Sequence, residues 1–176
     1  MARRRLLTGK QWAKFLGVPT DKRELIRYCT LVREVLADAL ADQYHRLDED
    51  HRTGLELEGA IRRYLNRAHL EDPAGGCPSA AFLSEIARQP LPTRKVYEEG
   101  LRSYASTLAA LLPDADPEAS RRRAIAIFGL LVGTLQLARA VPNAAEADQI
   151  LEGGVEAALR LARMSSTHDD RRGSAM

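Results

Sequence analysis

The residues best suited to metal or general-base chemistry are four histidines, His45, His51, His69 and His168. None stands in an HxxxH or HExxH spacing, which would place two ring nitrogens on one helix face. His51 follows Asp48, Glu49 and Asp50. That cluster could bind a metal weakly, although such a run of charge is ordinarily a solvated helix end. Gly75-Gly76 and Gly153-Gly154 are isolated pairs outside any strand-loop-helix setting, so no phosphate-cradling loop is predicted. Ser103 and Ser106 have no His and acid partners that spacing alone would indicate. The sequence therefore predicts no enzyme, no metal site and no cofactor.

What these side chains can build is a sensing cavity between helices, lined by apolar and aromatic groups with a few polar anchors. Candidate lining residues are Tyr64, Phe82, Ile86, Tyr97, Leu101 and Tyr104, with Cys77 at a turn and Gln136 as a buried polar group needing a partner. Each of these residues also suits ordinary core packing. Cys77 is a further candidate as a redox or electrophile sensor if its thiolate is stabilised, and only distant arginines are available for that.

The elements that must position these groups read as helices throughout. At 176 residues and 45% hydrophobic content, the chain can bury one sizeable core with an appendage. Thr8 to Gly17 predicts a short helix, and Asp21 with Glu24 forms a capping box that opens a long one towards Leu47. Thr53 with Glu56 opens a helix ending near His69, and the Gly- and Pro-rich loop 72–78 follows. Ser79 is expected to cap a short helix to about Arg88, which Pro90 and Pro92 break. Thr93 caps a longer helix through Tyr97, Leu101, Tyr104 and Leu108, ended by Pro113. Asp116-Pro117 starts a helix to Val141, and Asn143 with Glu146 starts the last, to about Met164. Residues 165–176 are expected to be a disordered tail. About seven helices joined by short loops make an all-α bundle.

Cys29 and Cys77 are the only cysteines and form no disulfide framework, which suits a reducing cytosol. No secretion signal or membrane span is read, because the greasy run from Ala124 to Ala138 is short and interrupted by Gln136. A cytoplasmic protein is expected. The segment Ile125 to Leu135 is apolar all round, so it must be covered on more than one side, and Gly129 with Gly133 would let another helix approach closely. A second copy of the chain is the expected cover; a monomer's central core helix is the alternative.

Composition changes near Leu31/Val32. Residues 1–31 carry eight Lys or Arg against two acids, leaving +6 there and −4 in the remainder. A basic arm on an acidic body suggests an anionic partner, nucleic acid first, or else a solvated leader.

From Val32 onward the chain resembles the effector-sensing and dimerising domain of TetR-family transcriptional regulators. The residues carrying the resemblance are Val32-Arg-Glu-Val-Leu-Ala-Asp38, Gly76-Cys-Pro-Ser-Ala-Ala-Phe-Leu83 with Glu85, and the run from Arg121 to Val141. It implies a sensing and dimerisation domain over 32–164, in a regulator or repressor that binds a small, mostly apolar effector. The implied homodimer interface takes Phe128, Gly129, Val132, Gly133 and Leu137 with Val155, Ala158 and Leu159. The family's DNA-reading helix-turn-helix finds no counterpart before Val32, and 31 residues are too few to hold it.

Residues 3–31 instead resemble the N-terminus of cointegrate-forming replicative transposases, through Arg3-Arg-Arg-Leu-Leu-Thr8, Trp12, Leu16, Pro19-Thr20, Glu24-Leu-Ile-Arg-Tyr28 and Thr30-Leu31. Together the two resemblances imply a fused or truncated regulator; a divergent N-terminus is the other reading. Such a chain could pair with an intact TetR-family relative. Two further readings are a non-specific DNA-binding module that contacts phosphates through Arg3, Arg4, Arg5, Lys10 and Lys14, and a structural helical dimer without ligand.

Overall fold

The computed structural model describes residues 22–73, 75–113 and 116–164, and among them every regular element is a helix. Helix α1 spans Lys22–Arg52, α2 Leu57–Tyr64, α3 Arg67–Glu71, α4 Pro78–Ala87, α5 Leu91–Ala110, α6 Pro117–Ala140 and α7 Ala144–Arg163. The protein is an all-α helical bundle, as its patterning predicts. The helix expected over Thr8 to Gly17, the basic residues Arg3, Arg4, Arg5, Lys10 and Lys14, and the tail over 165–176 lie outside the described residues.

Helix α1 runs past the expected end at Leu47 to Arg52, and it crosses Leu31 and Val32 without interruption. The change in composition at that point therefore falls inside one helix. Leu36, Leu40 and Leu47 are buried at helical spacing, and Gln43 occupies the same stripe. The stripe packs on α5, whose Gly100 permits the approach: a Cβ at that position would lie 2.9 Å from Leu40 Cδ1. Helix α6 pairs in the same way with α7, and α5 against α6 joins the two pairs. The main core fills the space between them, with Ile61, Leu108, Ile127, Leu131, Leu135 and Val155 almost completely buried. A smaller cluster of Leu36, Leu40 and Ile86, flanked by Val96 and Tyr97, lies under the other end.

Three local expectations are corrected. The single helix expected from Thr53 to His69 is two, α2 and α3, because Asn66 starts a new one: its side chain accepts from the His69 amide at 2.8 Å. The first begins at Leu57 without a side-chain cap. Ser79 does not cap α4, which starts one residue earlier at Pro78; the Ser79 hydroxyl is instead paired with the Tyr97 hydroxyl at 3.0 Å. Thr93 does not cap α5, which starts two residues earlier at Leu91 without a side-chain cap; Pro92 sits in its first turn, where a missing N–H costs nothing.

Helix α6 starts as expected, with the Asp116 carboxylate accepting from the Glu118 amide at 3.0 Å. Helix α7 starts with Asn143 accepting from Ala145 and Glu146. One side of α6 is buried through Ala124, Ile127, Leu131, Leu135 and Ala138. Its other side is uncovered within one chain, with Leu137 64% exposed and Ile125 37%. Among the described residues α6 is the one helix long and apolar enough to cross a membrane, and it is also the bundle's core helix.

Candidate functional site

The site is organised around His69. The Asn66 cap fixes the first turn of α3, and the His69 ring turns back to bridge two backbone groups. Its Nδ1 lies 2.8 Å from the Tyr64 carbonyl, and the Cys77 amide donates to its Nε2 at 3.1 Å. A carbonyl can only accept and an amide can only donate, so the ring is neutral with its proton on Nδ1. Gly76 makes this approach possible, because a Cβ there would lie 2.6 Å from His69 Nε2. From α6, Arg139 donates to the carbonyls of His69, at 2.6 Å, and Leu70, at 3.3 Å. These are end carbonyls of α3, which lack partners within so short a helix.

This strap closes one side of a cavity of about 300 Å³. Helix α1 contributes Gln43, Arg46 and Leu47; α2 contributes Ala60, Arg63 and Tyr64. Ala68 and His69 come from α3, Asp72, Gly75, Gly76 and Cys77 from the loop, and Tyr104 from α5. The Gln43 amide donates to Cys77 Sγ at 3.1 Å. The Tyr64 ring meets His69 edge-on at 4.8 Å and Phe128 edge-on at 6.1 Å, and Phe128 contacts Tyr104 at 4.5 Å. Arg46 is paired with Asp42 on the exposed surface of α1 and reaches the Gly75 carbonyl at 3.5 Å.

Tyr64 is 93% buried by its 7% exposure, and among the described residues its hydroxyl is the one buried side-chain polar atom without a hydrogen-bond partner. Burial, and next the neighbouring Cys77 thiol, raise its pKa far above the ordinary phenol value, so the hydroxyl keeps its proton. His69 is shifted the other way. Burial, together with Arg139 and Arg46, lowers its pKa below the ordinary 6.5, against the opposing hydrogen bond to Tyr64 and the Asp72 charge.

The sign of the His69 effect follows from linkage. Above pH 6.5 both folded and unfolded states hold the ring neutral; as pH falls below 6.5 the unfolded state takes up a proton first, and stability drops until the folded pKa is passed. Urea midpoints are therefore expected to fall from about pH 7.5 to about pH 5.5. His69→Gln should flatten that slope. An unchanged slope in the variant would remove His69 as its source.

Of the residues expected to line a cavity, Tyr64, Cys77 and Tyr104 do so. The others do not. Phe82 is 57% exposed on α4, Ile86 and Tyr97 belong to the smaller cluster, and Leu101 packs against the main core. Gln136 is exposed rather than buried, and its amide donates to the Ala80 carbonyl at 3.2 Å. Of the residues expected at a dimer interface, Phe128, Val132, Val155 and Ala158 are buried in the chain's own core, and Leu159 is half-buried against it. Gly129, Gly133 and Leu137 lie on the uncovered side of α6, where a Cβ at either glycine would meet nothing within 4 Å.

Gln43 and His69 were not anticipated as site residues. Gln43 carried a usable signal, a lone polar residue on the Leu36-Leu40-Leu47 stripe of α1. His69 carried only its place before a Gly-rich loop. Near His51, Asp48 and Glu49 line a surface hollow with His45, Arg52 and Thr53, and no metal-holding group of three His, Cys, Asp or Glu occurs among the described residues.

No protein-family model matches the chain, and no curated protein matches it.

Proposed function

We propose that the protein is a homodimeric sensing domain of the TetR regulator type, which takes a small, mostly apolar effector between its helices. The observation that carries this reading is the cavity. It lies where α1, α2, α3 and α5 converge on the 72–77 loop, and its wall is largely apolar with a few polar groups that could orient a ligand. Its volume of about 300 Å³ is at the small end for ligand sites, which suits a compact effector. The uncovered apolar side of α6, with Gly129, Gly133 and Leu137, supports pairing with a second copy, because such faces on a monomer usually mark an interface.

The reading is tested by filling the cavity. Ala60 lines it from α2 and is half-buried, so a phenylalanine ring at that position would occupy the space a ligand needs. Wild-type protein should bind a naphthyl probe saturably, one per chain, and Ala60→Phe should lose that binding at least about tenfold while its helical circular dichroism is retained. Undiminished binding by a folded Ala60→Phe variant would place the ligand elsewhere and sink the proposal.

A further inference from the structure

The cavity is chemically uneven from its floor to its rim. Leu47, Tyr64, Cys77 and Tyr104 are buried, so the deep part is apolar and aromatic. Arg46, Arg63 and Asp72 line the same space and are exposed, which puts every charged residue of the lining at the rim. Arg46 comes from α1 and Arg63 from α2, so two guanidinium groups reach the rim from two different helices. A ligand seated here would keep its apolar part inside and its polar end where the two cations stand.

The balance of charge in the lining is positive. Arg46 and Arg63 stand against one acid, Asp72, and that carboxylate is turned into its own loop, where it accepts from the Gly75 amide at 2.9 Å. Burial is the first reason that His69 stays neutral, and among the charges around it Arg139 and Arg46 each outweigh Asp72, so the wall lies in a positive field. Arg46 also pairs with Asp42, but both side chains of that pair are more than half exposed, and Asp42 lies outside the lining. So exposed a pair contributes little, and exchanging Asp42 for a ligand carboxylate costs little. The Arg46 guanidinium lies 3.5 Å from the Gly75 carbonyl, which places it beside the loop that walls the cavity.

Resting on the reading of the cavity as an effector site, we propose that its ligand is a compact amphipathic monoanion, an apolar carboxylic acid, whose body lies among Leu47, Tyr64 and Tyr104 and whose carboxylate is held at the rim by Arg46 and Arg63. The guanidinium N–H groups donate and the carboxylate oxygens accept; no covalent bond is made or broken.

A matched set of probes tests this on the full chain: naphthoate, naphthyl methyl ketone and naphthylmethylammonium share one ring system and differ in carrying a negative charge, a neutral oxygen or a positive charge. By titration calorimetry at low salt, naphthoate should bind at least about tenfold more tightly than the ketone, with the ammonium weakest, and its advantage should shrink as salt is raised. Arg46→Gln combined with Arg63→Gln should bring the ratio of naphthoate to ketone affinity to about one, whereas Arg46→Lys combined with Arg63→Lys, which keeps the charge, should retain most of it. Both positions are exposed, and unchanged helical circular dichroism separates loss of recognition from loss of fold. A ketone or ammonium probe that binds wild type as tightly as naphthoate, or a ratio that survives the double glutamine change, would overturn the inference while leaving the cavity a binding site. Binding by none of the three would overturn both.

Discussion

Leu135→Ala lowers the unfolding free energy by about 3 kcal/mol, the middle of the range for a buried leucine cut back to alanine. Leu135 has no exposed surface and lies in the main core on α6, one turn from Leu131 and Ala138. Truncation removes apolar contacts and leaves a void that other side chains of the close-packed core, such as Leu131 and Val155, fill only in part. Both of those side chains are themselves almost wholly buried, so neither can swing in from the surface. The change is read from urea unfolding at fixed protein concentration. A loss below about 1 kcal/mol would mean that α6 is not the central helix of the bundle.

Two residues further along the same helix the outcome is expected to invert. Leu137 is 64% exposed, on the side of α6 that carries Gly129 and Gly133. In a two-fold dimer paired through this side, each substitution occurs twice across the axis. Leu137→Glu then sets two carboxylates against apolar surface and against each other, and association should weaken by about 100-fold, roughly 2.7 kcal/mol. The isolated chain should fold as before, since nothing in its own core touches this position strongly enough to bury it. Sedimentation velocity over a range of concentrations separates the two effects. An unaltered dimer in Leu137→Glu, or a wild type that is monomeric at all concentrations, would remove α6 as the pairing surface.

The contrast between Leu135 and Leu137 also shows which parts of the molecule could be read from residue order. Caps that act locally were legible: Asp116 with Pro117, and Asn143, start α6 and α7 as their chemistry requires. The start of α5 at Leu91, ahead of Thr93, and a polar side chain with a distant partner were not. Ser79 has the right chemistry for a cap, but Tyr97, eighteen positions away, takes its hydroxyl. Asn66 divides a helix because its side chain competes for the His69 amide. For the cavity, aromatic identity pointed to Tyr64 and Tyr104, and the turn pointed to Cys77. The same identity misplaced Phe82, since apolar character alone does not say which side of α4 faces inward. His69 could not be placed at all from sequence. Its role depends on Gly76 and Cys77 folding back over α3, a tertiary arrangement with no periodic signature.

Arg139 gives the molecule one more property. It fastens the last turn of α6 to the carbonyls of His69 and Leu70, so the helix that presents Leu137 outward also holds the wall of the cavity. In the proposed dimer, pairing of two chains and filling of the cavity would meet at this contact, and linkage would make their influence mutual: the factor by which pairing alters ligand affinity is the factor by which ligand alters pairing. The apparent affinity for the proposed ligand would drift with protein concentration, and a dimer built this way would report its own abundance along with that of its ligand.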